Sequence, residues 1–503
     1  MSTVVSQAPA GASEAGIAPH AESNAIIKPG YHPRLTNEDL APLKKQTWGQ
    51  YNIFAFWMSD VHSVGGYITA GSLFALGLSS WQVLVSLLVG IVIVQIFCNL
   101  VAKPSQVTGV PYPVVCRAPF GVLGANIPAI IRGLIAVAWY GVQTYLASAA
   151  FMVLALHMAP GLAPYAEVTR YGFAGLSALG WVAFMVMWVL QAFVFWHGMD
   201  AIRKFIDWAG PAVYVVMAIL CGWLVWKAGW SKIDLNLGGI KFQGWDALPV
   251  MLSAIALVVS YFSGPMLNFG DFSRYGKSFE AVKKGNFWGL PVNFVFFSLL
   301  TVITTAATLP VFGELITDPV HTVGKIDSTT AVVLGALTFM IATIGINIVA
   351  NFVSPAFDFS NVFPRHISFK RGGVIAALIA LVLYPFAPWE TGAAHFVNFI
   401  GSTMGPIFGV MMVDYYLIRK GELDVAALYR EDGEFRFQSG WHVNAFIAFA
   451  IGALFSSILP TFTSVLPEWW GTYGWFFGVG IGGGVYYLLR MTTRGSAVGA
   501  ASR

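Results

Sequence analysis

The sequence predicts an all-α polytopic membrane protein with twelve transmembrane helices. Three observations carry this. Of 503 residues, 57% are hydrophobic and only 10% are charged, against about 25% charged in soluble domains. The apolar residues fall in runs of about 20, the length a helix needs to cross a bilayer, rather than in the interrupted stripes of a soluble core. Finally, 22 of the 28 Lys and Arg residues fall on one set of alternating connections, as the positive-inside rule requires.

The spans are expected near 49–73, 79–102, 126–157, 175–196, 205–228, 248–270, 286–311, 330–356, 372–389, 394–418, 441–460 and 470–490. The first follows Trp48 and contains the glycine pair Gly65-Gly66. The fourth and fifth are separated where Arg203-Lys204 interrupts the apolar pattern, and the ninth is short, ending at Pro385 and Pro388. The twelfth holds the Gly480–Gly484 run, which reads as close helix packing. With the N-terminus inside, the outer loops hold five cations, Arg170, Lys227, Lys232, Lys241 and Lys325, and Arg132 lies near the inner end of the third span. Both termini are therefore expected in the cytoplasm. The expected organisation is a tail over 1–47, a first helical unit over 48–228, a second over 248–420, a cytoplasmic loop over 421–440, two further spans over 441–490 and a tail over 491–503.

Several function classes are disfavoured. The net charge of +4 is dispersed over loops, so no nucleic-acid partner is expected. Cys98, Cys116 and Cys221 show no metal or disulfide spacing, and Cys98 and Cys221 sit in apolar runs as core residues. The first ~35 residues lack an apolar signal region and read as a disordered tail. There is no phosphate-binding glycine loop for ATP and no metal-ligand spacing among the nine histidines. An enzyme is not expected, and neither is a cofactor.

The informative residues interrupt the hydrocarbon runs. Asp60 and His62 lie midway along the first span, in Phe56-Trp-Met-Ser-Asp-Val-His-Ser-Val-Gly-Gly66. An intramembrane charge costs roughly 2.5–3.5 kcal/mol on insertion scales and generally faces a cavity. The glycine pair loosens the helix near Ser63–Gly66, and Ser263-Gly264-Pro265 interrupts the sixth span. Two interrupted helices five spans apart point to inverted repeats with a midplane binding site, the alternative being ordinary proline kinks.

Three spans bring aromatic or amide groups to mid-depth. Trp139 and Gln143 are four apart in the third and share a helix face. A tryptophan offers a flat stacking surface and a glutamine amide offers a donor and an acceptor, which suits a small planar ring. The alternative is that Trp139 packs and Gln143 bonds a neighbouring helix. Asn347 and Asn351 repeat the spacing in the eighth span, and Tyr261, Phe262 and Asn268 surround the sixth-span interruption. No cationic side chain is placed among these groups, so an uncharged ligand is expected over a carboxylate.

At these residues the chain resembles the nucleobase–cation symporter family of bacterial hydantoin, allantoin, uracil and cytosine/purine carriers and fungal uracil and allantoin permeases. The resemblance covers about Asn37 to Tyr429. It rests on Asn37-Glu-Asp-Leu-Ala-Pro42 with Thr47-Trp48, Gly109-Val-Pro-Tyr-Pro113, Arg117-Ala-Pro-Phe-Gly121 and Ala138-Trp-Tyr-Gly-Val-Gln143. Asn268-Phe-Gly-Asp-Phe-Ser-Arg-Tyr275, Asn351-Phe-Val-Ser-Pro355 and Asp414-Tyr-Tyr-Leu-Ile-Arg419 complete it. It implies two inverted five-helix repeats with two helices appended. It also implies a ring stacked between Trp139 and Phe262, amide contacts from Gln143 and Asn351, and a polar first-helix position at Ser63, with Tyr261 beside them.

In sodium-coupled members the resemblance places cation-binding carbonyls at Ser59, His62 and Ala342. The two hydroxyl ligands, however, fall on Gly345 and Ile346. A hard cation wants about six oxygens, so the loss weakens a sodium site, and a proton carried by Asp60 or His62 becomes the expected coupling ion, with sodium as the alternative. The expected protein is an inner-membrane symporter, working as a monomer in the lipid bilayer. It imports a small neutral heterocycle, a nucleobase or a ureide, by alternating access. The alternative is an amino-acid or amine symporter of the same fold.

Overall fold

The computed structural model describes residues 24–237, 239–382 and 386–501, with the side chains of 386–394 and 493–501 outside that description. The expected first span is two short helices, α1 (Gln50–Val61) and α2 (Val64–Phe74). Then follow α3 (Ser80–Thr108), α4 (Asn126–Met158), α5 (Ala178–Trp196), α6 (Met199–Ala228), α7 (Gly244–Leu267), α8 (Phe279–Phe312) and α9 (Thr329–Val362). The chain continues through α10 (Phe369–Val382), α11 (His395–Ile418), α12 (Val443–Phe462) and α13 (Gly474–Ala501). Among the described residues, nine of these are long and apolar enough to cross a membrane: α3 to α9, α11 and α12. The expected first, ninth and twelfth spans fall on the α1/α2 pair, on the 14-residue α10 and on α13. The end of the ninth at Pro385 lies outside the described residues.

Two boundaries differ from the sequence reading. The chain turns between α5 and α6 at Gly198, whose φ of +82° is a backbone conformation glycine adopts readily. Arg203 and Lys204 lie inside α6, where Arg203 faces Asp207 one turn on at 3.7 Å; a helix that emerges from the bilayer needs no break to become charged. Residues 24–35, expected within a disordered tail, instead pack against the rest of the chain. From Asn24 the chain runs beneath the helices, with Leu35, Leu40 and Ala41 buried. The side chain of Asn37 donates to Ser360 Oγ at 2.8 Å and reaches the Pro364 and Ile367 carbonyls at 3.2 Å. The tail over residues 1–23 lies outside the described residues.

Packing sorts the helices into groups. α4 lies against α5 and α9, α1 against α6 and α8, and α3 against α7. The last pair, α11 and α13, meets through glycine: a Cβ on Gly405 or Gly409 would stand 2.6 or 2.3 Å from a backbone oxygen of α13. Small residues let helix backbones approach in a bilayer, where packing rather than water exclusion drives association. All three cysteines are buried.

Candidate functional site

α1 stops because Ser63 N turns back to Val61 O at 3.0 Å, releasing the Ser59 carbonyl from the helical ladder. Ser63 then caps α2, its Oγ accepting from Gly66 N at 2.9 Å. Gly66 permits the overlap, since a Cβ there would stand 2.7 Å from Val61 O. The break therefore falls at His62–Ser63, and the glycine pair lies in the first turn of α2.

The sixth-span break comes later than the sequence suggested. α7 runs on through Ser263-Gly264-Pro265 to Leu267 and ends at Asn268. Pro265 supplies no N–H to the turn before it. The buried Gly264 carbonyl accepts from Arg132 Nε at 3.1 Å and from Asn268 N at 3.3 Å. In α9 the helix widens to a π turn over Asn347–Phe352, just ahead of Pro355, whose missing N–H cannot hold the Asn351 carbonyl. Such turns recur at functional sites.

These three irregularities surround one cavity of about 20 Å³, the size of a single water. Its lining includes Asp60, Arg132, Trp139, Gln143, Phe262 and Asn351. Tyr261 is also there, edge-on to Trp139 at 5.6 Å and 73°. Phe262 lies one ring further, 5.5 Å from Tyr261. In this conformation Tyr261 and Phe396 both stand edge-on to the Trp139 indole. The cavity is also rich in unanswered polarity: Asp60 Oδ1, Arg132 Nη1 and Gln143 Oε1 are buried without a partner. Gln143 Nε2 lies 3.4 Å from Ser63 Oγ, which brings the first-helix position to the same wall.

Arg132 corrects an expectation. The sequence placed no cation among the binding groups, yet this guanidinium lines the cavity and is fully buried. Three carboxylates act on it: Asp358, Asp271 and Asp60. The signal was present as a lone arginine seven residues before Trp139. Gln191 of α5 was also missed, although it is the one amide in the apolar run Val182–Trp196. It bonds Asn347 Nδ2 through Oε1 at 2.7 Å. Asn347 thus turns away from the cavity and Asn351 toward it.

Asp60 and His62 part company. Asp60 faces the cavity, whereas His62 points to the other side of the break. There its Nδ1 meets Tyr67 Oη at 2.7 Å and its ring is packed edge-on by Tyr214 and Phe297. Ser59 is buried where α1 meets α9, against Gly345, and Ala342 is buried one turn before that glycine. Ser59 Oγ has no partner and lies 3.8 Å from where a Cβ of Gly345 would stand. Thr343 Oγ1 is likewise buried and unpartnered.

The family model described as "Permease for cytosine/purines, uracil, thiamine, allantoin" matches residues 41–480. The allantoin permease of Bacillus subtilis (strain 168) is 37% identical over 462 residues, 91% of this chain and 93% of its own. A purine-uracil permease of Arabidopsis thaliana is 30% identical over 440 residues, covering 86% of this chain and 72% of its own. Among solved structures, a nucleobase-cation-symport-1 family transporter, closed around bromovinylhydantoin, superposes with a TM-score of 0.69 at 21% identity, covering 94% of this chain and 96% of that one. Its fold is shared by this chain. The protein is a multi-pass membrane permease rather than an enzyme, and it belongs to the family of permeases for cytosine and purines, uracil, thiamine and allantoin, the nucleobase–cation symporters.

Proposed function

We propose that the protein imports a small neutral heterocycle, a nucleobase or a cyclic ureide such as allantoin or hydantoin, in symport with a proton. The carrying observation is the single cavity at which three irregular helices meet, walled by Trp139, Tyr261 and Phe262 and edged by the Gln143 and Asn351 amides. Aromatic faces and amide edges are what a flat ring with lactam or ureide sides requires. The ring stacks between Trp139 and Phe262 after Tyr261 moves, and Ser63 and Gln143 meet one edge. Two inverted five-helix repeats supply alternating access, with α1, α2, α3, α7 and α8 rocking against α4, α5 and α9. The protein works in the inner membrane, and the Lys and Arg distribution supports an orientation with both termini in the cytoplasm. The monomer is the working unit.

The geometry of the carboxylates supports the proton. Arg132 acts on Asp60, Asp271 and Asp358, and of these three carboxylates Asp60 is the one that lines the cavity. Asp60 is the proton carrier. Sodium is the second reading, favoured by one observation: the buried, unpartnered hydroxyl of Ser59 lies against Gly345 where α1 meets α9, so Ser59 offers on the first helix an oxygen that Gly345 lacks on the other.

The test is uptake of labelled uracil, cytosine, allantoin, hydantoin and amino acids, repeated without sodium and with a protonophore. Uptake of a ring compound that the protonophore abolishes is expected. Loss on sodium removal alone would select the second reading, and transport restricted to amino acids would overturn the substrate assignment.

A further inference from the structure

Gln191 belongs to α5 and touches neither the cavity nor any group assigned to the ligand, yet its amide determines which way Asn351 faces. Its Nε2 donates to Met187 O, one turn back in its own helix, at 3.0 Å. A carbonyl only accepts, so the Gln191 amide has one orientation, with Oε1 turned toward α9. There it accepts from Asn347 Nδ2 at 2.7 Å.

The same Asn347 nitrogen lies 3.2 Å from Tyr140 O and 3.1 Å from Thr144 Oγ1. The Thr144 hydroxyl gives its proton to Tyr140 O at 2.6 Å, so toward Asn347 it too can only accept. Three acceptors on one side allow Asn347 a single orientation, with Oδ1 presented to Asn351. Asn351 Nδ2 donates to it at 2.8 Å. The usual ambiguity between amide nitrogen and oxygen is resolved by hydrogen-bond chemistry. Every member sits on α4, α5 or α9, and none on the helices at the two breaks.

We propose that Gln191, with Thr144, is a positioning residue that locks the polarity of Asn351. With Nδ2 tied back, Asn351 meets the cavity with Oδ1 as its free acceptor. The site then selects rings that place an unsubstituted N–H against it, as a lactam, imide or ureide does, over rings whose nitrogen is alkylated at that edge. Gln143 has no such lock: its Nε2 contact to Ser63 is long at 3.4 Å and its Oε1 is free. One amide is fixed and the other adapts. The inference rests on the cavity being the substrate site.

The test compares wild type with Gln191→Met, which keeps the side-chain volume and removes both polar ends, and with Thr144→Val. Labelled uracil, hydantoin and allantoin are each competed with the unlabelled ring and with its N-methyl derivatives. Loss of one hydrogen bond of ordinary net strength corresponds to about a 3- to 10-fold change. KM should rise by that factor with maximal rate nearly unchanged, and the preference for N–H over N-methyl rings should fall by a similar factor. A purely structural defect lowers maximal rate and membrane abundance and leaves the preference alone. An unchanged preference in both variants would overturn the lock. So would failure of both variants to reach the membrane, which would make the network a folding element. Wild type that carries none of these rings would instead defeat the underlying site assignment.

Discussion

Arg132 Nη2 donates to Asn268 Oδ1 at 2.8 Å and to Ala350 O at 3.0 Å, joining the end of α7 to the π turn of α9 from a side chain on α4. A planar guanidinium can hold acceptors on two elements at once, and a lysine ammonium on a flexible stem cannot reproduce that fork. Arg132→Lys is therefore expected to keep the charge near Asp60, Asp271 and Asp358 but release the break. Uptake should fall at least tenfold with protein still in the membrane. Arg132→Ala leaves buried carboxylates uncompensated and should reduce folded protein as well, by an amount of about 3–5 kcal/mol if such a group behaves as other broken buried pairs do. Uptake assays beside thermal melts of the purified protein separate the two effects. Normal uptake by the lysine variant would remove Arg132 from the site.

In the function proposed above Trp139 is the stacking surface, and in this structure Tyr261 stands against it edge-on. Trp139→Ala removes the indole face, and Gln143→Ala removes an amide whose oxygen is buried and free. Each is expected to abolish uptake with surface expression intact, while Trp139→Phe keeps part of it because a smaller face still stacks. Radiolabelled uptake normalised to membrane protein measures this. Full activity in either alanine variant would rule the cavity out as the binding site.

Most of the fold was legible because bilayer length and the helix breakers are local features. Asn126–Met158 falls almost where the apolar run placed it. Boundaries at the membrane surface were not legible, as Arg203 and Lys204 show: charge marks where lipid ends and says nothing of where hydrogen bonding ends. The site was visible as single residues, since each intramembrane polar group interrupts a hydrophobic run. What no spacing rule reveals is pairing across helices, so Gln191 with Asn347 and Arg132 with Asn268 emerged only in three dimensions. The residues that made the resemblance specific are mostly elsewhere. Arg274 bonds the Asp39, Ala41 and Gly109 carbonyls, Arg117 bonds Leu428 O and Asn361 Oδ1, and Tyr429 Oη bonds Leu40 O. They form a belt under the helices.

That belt predicts its own phenotype. Asn37 ties the segment after Asn24 to the end of α9 through Ser360, Pro364 and Ile367. It also stabilises its own turn, its Oδ1 accepting from Asp39 N and Leu40 N. Asn37→Ala should lower the melting temperature and speed maleimide labelling of Cys116, which is buried against Met411 above the belt, while substrate affinity in membranes stays near wild type. Unchanged labelling would mean that the segment does not shield Cys116.

Asp60 and His62 are two residues apart at the end of α1, a spacing that places them on opposite sides of its last turn. Asp60 lines the cavity with a free Oδ1 near Arg132, where binding of a ring and of a proton can influence each other. His62 is bonded to Tyr67 and enclosed by Tyr214 and Phe297, away from the ligand walls. Asp60→Asn preserves shape and hydrogen bonding but cannot lose and regain a proton. It should abolish concentrative uptake and protonophore sensitivity while allowing exchange of labelled for unlabelled substrate. His62→Gln should lower thermal stability and leave coupling in place. Substrate-driven alkalinisation of the medium reports the proton directly, and it should vanish in Asp60→Asn alone. The reverse pattern, with coupling lost at His62 and kept at Asp60, would transfer the proton to the imidazole and its aromatic enclosure.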